Sequence, residues 1–373
     1  MIDNIFLFKQ KSQDFIVEEQ LPFKLSGKGD AFFVYFEKRN LNTMDIIDFL
    51  CKEFGFSRLT LGIAGLKDKK AITRQRISIY KSALSRIGGH IVFMNTLAEK
   101  VRIIKYDWHD KPIGMTTPIN NVFYIRLRAT KKLGVQDKKD TYEYLKDLAS
   151  RGFPNFYGDQ RFGIEGKNWK QGRDIISGKL ALKDKKEIGF KLQAYASKLF
   201  NLYITSREKQ DYRMLDGDVL EIHTDGKKEY GIYHKDKNTV SVIDLYELEG
   251  TNSKDVFFYP KNFIREIPYV RSKMLVTGPV LGYNLLMGPK GSESEKNEIG
   301  FLDYHSNCEK HMQVMKANKI FGLRRPLWVY LSDVEFRFQE DDVLLQFALP
   351  SGSYASVFID KILDKLVERK TEK

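Results

Sequence analysis

Cysteine is nearly absent: 373 residues contain two, Cys51 and Cys308. Two thiols so far apart exclude a disulfide framework and a cysteine-based zinc site. Cys51, inside a run with helical spacing, reads as a packing residue. No stretch reaches the ~18 uninterrupted apolar residues of a membrane-spanning helix. There is no secretory leader either, so the expected compartment is the cytoplasm. The chain also lacks a Gly-x-Gly-x-x-Gly entering a helix after a strand, and it lacks a P-loop, which leaves nucleotide phosphate cradles without support. It has no His-Glu-x-x-His; its six histidines, at 90, 109, 223, 234, 305 and 311, are scattered. His305 and His311 are too far apart to share one helical face well. No nucleophile elbow announces a Ser-His-Asp triad. Internal repeats and low-complexity segments are missing too.

What the chain does have is apolar material and positive charge. Hydrophobic residues make up 42% and aromatics 13%, enough for a real core. With 62 basic and 49 acidic residues, the formal charge is +13. Such an excess points to a polyanion, either nucleic acid or an acidic membrane surface, with a merely basic soluble protein as the plainer alternative. The length suggests about two domains.

In the first part, Phe15 and Val17 alternate with polar neighbours, and Asp30 to Glu37 is rich in aromatic and β-branched residues. Both read as strands, forming a hairpin-like pair. Asn42 and Thr43 are good N-caps for a helix that Gly55 closes. Residues 91–96 read as extended and 101–108 as a strand. Pro118 to Arg128 reads as a turn entering a strand with Phe123, Ile125 and Leu127 on one face, and a helix starts at Asp140 or Thr141. Strands that alternate rather than run continuously apolar favour a mixed or antiparallel sheet. The texture changes after the aromatic and glycine-rich loop at 154–163. Longer helices follow, chiefly Lys185 to Arg207, with a loop at 287–295 and helix over most of 297–322. Alternation returns in Trp328 to Tyr330, Val334 to Phe338 and Val343 to Phe347. The expected fold is α+β. A catalytic domain with a mixed, largely antiparallel sheet would be built from residues 1–155 and 311–373, and an α/β domain, 156–310, inserted between them.

One stretch carries the chemistry, Leu61-Gly-Ile-Ala-Gly-Leu-Lys-Asp-Lys-Lys-Ala-Ile-Thr-Arg-Gln75. A strand stops, presents the single carboxylate of Asp68 among Lys67, Lys69 and Lys70, then resumes. That is a way to hold a reactive acid on a rigid frame, and the lysines favour its ionised form. A lysine-rich surface turn would look the same. With metals and nucleotide cradles set aside, what remains is one acid, many aromatics and a positive chain. Aromatics stack on bases out of the helix and lysines track phosphates. An enzyme acting on a base must extrude it, and a carboxylate can then be the nucleophile without cofactor or metal.

In these residues the chain resembles the TruD family of tRNA pseudouridine synthases, over nearly its whole length. Ala64-Gly-Leu-Lys-Asp-Lys-Lys-Ala-Ile-Thr-Arg-Gln75 is similar to that family's catalytic motif, and Asp14-Phe-Ile-Val-Glu-Glu19 to its N-terminal motif. Pro154-Asn-Phe-Tyr-Gly-Asp-Gln-Arg-Phe-Gly163 resembles its loop at the domain junction. Asp216-Gly-Asp218, Thr277-Gly-Pro279 and Leu349-Pro-Ser-Gly-Ser353 are shorter supporting matches.

The resemblance implies a pseudouridine synthase catalytic domain interrupted by a family-specific insertion. The substrate would be tRNA, with uridine 13 of the D arm isomerised. No cofactor, metal, membrane or obligate protein partner is implied, and the protein would act as a monomer. Asp68 matches the catalytic aspartate, attacking ribose C1′ or base C6. Phe15 sits where a ring contacts the target nucleotide. Asn121 and Phe123 fall on an Asn-x-Phe element whose aromatic stacks on the base. Lys9 aligns with a basic residue near the acid, although its flanks match poorly, and Tyr354 stands where relatives often carry Phe. By pattern alone, Phe15 and Phe123 read equally as core, Asn121 as a turn cap and Lys9 as a solvated side chain. A non-catalytic RNA-binding protein or tRNA-folding chaperone is the alternative that fits the same charge and aromatics.

Overall fold

The structure is a computed structural model; it describes residues 5–67, 71–114, 117, 120–163, 165–210, 212–224, 227–244, 257–306 and 308–368. The chain divides into two compact units. One joins the segment ending at Gly152 to the segment starting at Tyr330, and the other spans Phe153–Val329.

The first segment builds seven strands: β1 (Phe6–Leu7), β2 (Phe15–Gln20), β3 (Ala31–Arg39), β4 (Leu61–Gly62), β5 (Ile72–Tyr80), β6 (Arg102–His109) and β7 (Asn120–Ala129). Its helices are α1 (Thr43–Phe54), α2 (Lys81–Ser85), α3 (His90–Ala98) and α4 (Val135–Arg151). α1 ends as its sequence suggests, at Gly55 in the left-handed region with φ 67°. The extended reading of 91–96 is corrected: β-branched Ile91 and Val92 mislead, because Phe93 and Leu97, one helical turn apart, point into the core. α4 begins five residues earlier than expected, since the Asp137 carboxylate accepts the Gly134 N–H at 3.1 Å and so caps the first turn.

β2 and β3 are not a hairpin. β5 lies between them, parallel to β2 and antiparallel to β3. The connection runs over β6 instead of turning back: Gly27 N–H donates to the Trp108 carbonyl at 3.1 Å, and Phe23 stacks on His109 at 4.7 Å. Gly29, at φ 122°, is required there, because a Cβ would sit 2.5 Å from the His109 carbonyl. Buried Asp14, just before β2, accepts both Arg128 nitrogens at 2.7 and 2.8 Å and the Lys11 N–H at 2.9 Å. Burial alone would raise its pKa, but Arg128 and the Lys11 N–H outweigh it and hold the carboxyl below the ordinary value. A depressed carboxylate adds stability above its unfolded pKa, and that stability is lost as pH falls through the folded one. Asp14→Asn is therefore expected to lower Tm near neutrality, with the deficit shrinking below about pH 4, the range in which free aspartate titrates. Melting curves taken from pH 7 downward test this, and a deficit that stays constant would contradict it.

The second unit contains β8 (Phe153–Pro154), β9 (Val219–Thr224), β10 (Lys227–His234), β11 (Thr239–Ile243), β12 (Phe257–Phe258), β13 (Phe263–Pro268), β14 (Met274–Val280), β15 (Leu285–Leu286), β16 (Leu323–Pro326) and β17 (Trp328–Val329). Its helices are α5 (Asn168–Ile176), α6 (Lys185–Glu208), α7 (Glu293–His305) and α8 (Cys308–Ala317). An antiparallel sheet runs β13-β11-β10-β9-β14-β16. The core is the face of α6 bearing Leu192, Leu199, Phe200 and Tyr203, packed with Leu302, Met312 and Met315. This explains why the second junction falls at Val329 and not at 310: Met312 and Met315 complete this core, and β16 pairs with β14. The aromatic loop at 154–163 belongs to the same unit. Arg325 donates to the Asn155 side chain at 2.7 Å and lies 4.1 Å from the Tyr157 ring, while Asn201 bonds both the Tyr157 N–H and its carbonyl.

The chain then returns with β18 (Ser332–Gln339), β19 (Asp342–Pro350) and α9 (Ala355–Glu368). β19 pairs with β7, completing a nine-stranded sheet in the order β18-β19-β7-β2-β5-β3-β6, with β1 on β7 and β4 on β5. β2–β5 is its parallel pair, so the fold is α+β with a mixed, largely antiparallel sheet.

Candidate active site

Strand register decides which side chains share a face. Val17 pairs with Thr73 on β5 and with Phe123 on β7; Thr73 pairs with Lys38, and Phe123 with Phe347. One step along, Asn121 lies between Glu19 and Leu349. The face is apolar through most of its area but turns polar here, with Lys38, Glu19, Thr73, Gln75 and Asn121 all buried.

Asp68, Lys69 and Lys70 lie outside the described residues. The residues on either side of them are held against this polar patch. Lys67 donates its N–H to Thr43 Oγ1 at 3.1 Å and its ammonium to Asn121 Oδ1 at 2.6 Å. The same Nζ is 3.9 Å from Glu19 Oε2, with both side chains buried. Lys38 Nζ donates to the Leu41 carbonyl at 2.7 Å and to the Lys67 carbonyl at 3.4 Å. On the far side, buried Ala71 accepts the Asn40 N–H at 3.4 Å. Thr43, the first residue of α1, donates in turn to Gln75 Oε1 at 2.9 Å. Helix, sheet and the residues on either side of 68–70 are thus tied together by these side chains.

Burial pushes the Glu19 carboxyl up, while Lys67 and Arg76 oppose the rise. Among the described residues Glu19 Oε2, Thr73 Oγ1 and Gln75 Nε2 have no hydrogen-bond partner, although all three are buried. Orphaned polar atoms carry a desolvation cost and are rare in folded interiors. Three on adjacent strands mark a place where polar groups remain available.

The aromatic candidates also converge. Phe15 and Phe123 lie 5.9 Å apart, and Phe123 stacks on Phe347 at 5.4 Å. Both candidate rings are buried, at 3% and 6% exposure, so they serve the core as well as any ligand. Lys9 adopts φ 54° and holds its ammonium 3.9 Å from the Phe15 ring centre. Tyr354 follows the turn after β19, whose last residue, Pro350, pairs with Asn120 beside Asn121. The structure thus places Phe15, Asn121 and Phe123 on one face and Lys9 over its rim. Sequence reasoning gave Glu19 and Lys38 no place in the site, read Thr43 only as a helix cap, and left Gln75 without a stated partner. The parity of β2 would have put Glu19 on the face of Phe15, but the partners of Lys38 and Gln75 come only from strand order.

The family model described as tRNA pseudouridine synthase D (TruD) matches residues 6–184 and 189–362. A relative called tRNA pseudouridine synthase D from Helicobacter hepaticus is 29% identical over 372 residues, covering 95% of this chain and 92% of its own. The protein of the same name from Wolinella succinogenes is 29% identical over 377 residues, covering 97% and 96%. Among solved structures, the putative tRNA pseudouridine synthase D of Methanosarcina mazei matches with a TM-score of 0.65 over 97% of this chain and 94% of its own, at 18% identity, a likeness of fold.

Proposed function

The chain belongs to the TruD family of tRNA pseudouridine synthases, and from that premise we propose that it isomerises a uridine of tRNA, position 13 of the D arm, with Asp68 as nucleophile. The reaction breaks the N1–C1′ glycosidic bond, turns the uracil, and forms a C5–C1′ bond. The C5 hydrogen leaves as a proton and N1 takes one up, so no electron is gained or lost overall and no cofactor or metal is called for. The uridine has to leave the stack before its C1′ or C6 can be reached. In this reading the carboxylate of Asp68 attacks one of those atoms. Asn121 offers its amide to the uracil edge, Phe15 and Phe123 form the apolar floor, and Lys9 and Tyr354 flank the nucleotide. The protein works in the cytoplasm as a monomer, with tRNA as its partner.

The observation that carries this reading is the clamp on Lys67. The residue preceding Asp68 is fixed through its N–H, its carbonyl and its ammonium to α1, β3 and β7. Such fixing is what a nucleophile requires, since misplacement by an ångström costs orders of magnitude in rate. The test is tritium release from tRNA labelled at uridine C5. The protein is expected to release one label per tRNA. Salt-sensitive tRNA binding without release would instead favour the non-catalytic, chaperone-like reading.

A further inference from the structure

The second unit carries none of the residues assigned above to catalysis, yet it has its own concentration of positive charge around an aromatic ring. Half-buried Trp169, in the first turn of α5, is approached by three cations. Lys170 Nζ lies 5.7 Å from the indole, the Arg173 guanidinium 5.8 Å and Lys198 Nζ, from α6, 5.6 Å. Neither Lys170 nor Lys198 has an acidic partner among the described residues. Arg173 has only its neighbour Asp174, at 3.6 Å on the surface. Three like charges about one ring repel one another, and the indole face offsets that only in part. An anion drawn into the group would relieve the rest.

The frame under this group is rigid. α5 and α6 meet at Gly172, where a Cβ would fall 2.2 Å from the Lys191 carbonyl oxygen. Glycine inside a helix costs about 1 kcal/mol relative to alanine, and here it lets two backbones touch, which fixes Trp169 against Lys198. Further cationic and aromatic groups continue on α6. Arg161 donates to Ser197 Oγ at 3.0 Å and to Gln193 Oε1 at 3.1 Å, and its guanidinium sits 6.0 Å from the exposed ring of Phe190. Phe190, Gln193, Ser197 and Lys198 are spaced to share one side of the helix.

We propose that Trp169, Lys170, Arg173 and Lys198 form a phosphodiester-binding platform for the RNA substrate, with the indole supporting an adjoining ribose or base. RNA is the ligand that supplies both halves of this recognition, a phosphate for each nucleotide and a flat face beside it. The platform extends the tRNA reading given above and rests on it.

The test is tRNA binding by the full chain across a KCl series, comparing wild type with Lys170→Ala/Lys198→Ala and with Lys170→Arg/Lys198→Arg. Two lost phosphate contacts are expected to weaken Kd roughly tenfold at moderate salt and to cut the slope of log Kd against log salt by about 2. The arginine pair is expected to bind like wild type. Titration with tRNA is also expected to change tryptophan fluorescence in wild type, and to change it far less in Trp169→Phe. An alanine pair with wild-type Kd and slope, in a protein that does bind tRNA, would overturn the platform and leave the catalytic reading standing. A wild-type chain that binds no tRNA would overturn both. Thermal melts of the surface variants that match wild type establish that a weakened Kd is not a folding defect.

Discussion

Asp68→Asn is expected to reduce tritium release from C5-labelled tRNA by about 10⁴-fold or more, the scale on which enzymes lose rate when their nucleophile is removed. The amide has nearly the shape of the carboxylate but no negative charge and no oxygen able to open a covalent path. The contacts that hold the residues on either side, Lys67 to Asn121 and Thr43 and the Asn40 N–H to the Ala71 carbonyl, are expected to persist in the variant. Affinity for tRNA, carried mainly by phosphate contacts, is expected to stay within about threefold. A variant that still releases tritium at the wild-type rate would remove Asp68 from the mechanism, whatever the fold.

The second large effect is on stability and lies in the inserted unit. Glu298→Ala is expected to cost about 3–5 kcal/mol, the range for breaking a buried ion pair by removing one partner. The two Arg324 terminal nitrogens donate to the two Glu298 oxygens at 2.7 and 2.8 Å, and both side chains are out of contact with water. Arg324 also donates to Thr277 Oγ1 at 3.0 Å and to the carbonyls of Thr277 and Leu286. Burial works against its charge, but Glu298 beside it holds the guanidinium protonated. Removing Glu298 leaves that charge buried without its counter-ion. Urea denaturation should show the loss as a shift in midpoint, and a change below about 1 kcal/mol would contradict the assignment, since surface pairs are worth no more than that.

This network also explains two short motifs. Asp218 of Asp216-Gly-Asp218 accepts both Arg207 nitrogens, at 3.1 and 3.2 Å, and the hydroxyl of Ser294 at 2.9 Å. In Thr277-Gly-Pro279, Thr277 serves Arg324, and a Cβ on Gly278 would come within 2.7 Å of Leu327 and 2.8 Å of Tyr203. Asp218 and Thr277 are interior fittings of the second unit.

The parts of the fold that could be read from sequence are those set by local pattern. Strands β4 and β5 follow from Gly62 and from the alternation of Ile77 and Ile79, and α1 from its cap residues and Gly55. Strand partners could not be read this way, because alternation names a face and not a neighbour. The β2–β3 connection looks like a hairpin until its glycines are found packed on β6. α3 was obscured by its β-branched residues, whose preference lost to the burial of Phe93 and Leu97. The candidate site divides in the same way. Asp68, Gln75, Phe15, Asn121 and Phe123 stand in recognisable motifs, whereas Lys38 and Thr43 come to Lys67 and Gln75 only through the lateral order β7-β2-β5-β3 and the N-terminus of α1. Lys67 could not be separated from Lys69 and Lys70 by spacing; its bond to Asn121 and its closeness to Glu19 give it a defined place in the patch.

Carbodiimide mapping of tRNA after incubation with the purified protein tests the central claim most directly. The predicted result is pseudouridine at position 13 of the D arm with the wild-type chain and unmodified uridine with Asp68→Asn. Uridine left unmodified by the wild-type chain, or pseudouridine still formed by Asp68→Asn, would contradict it.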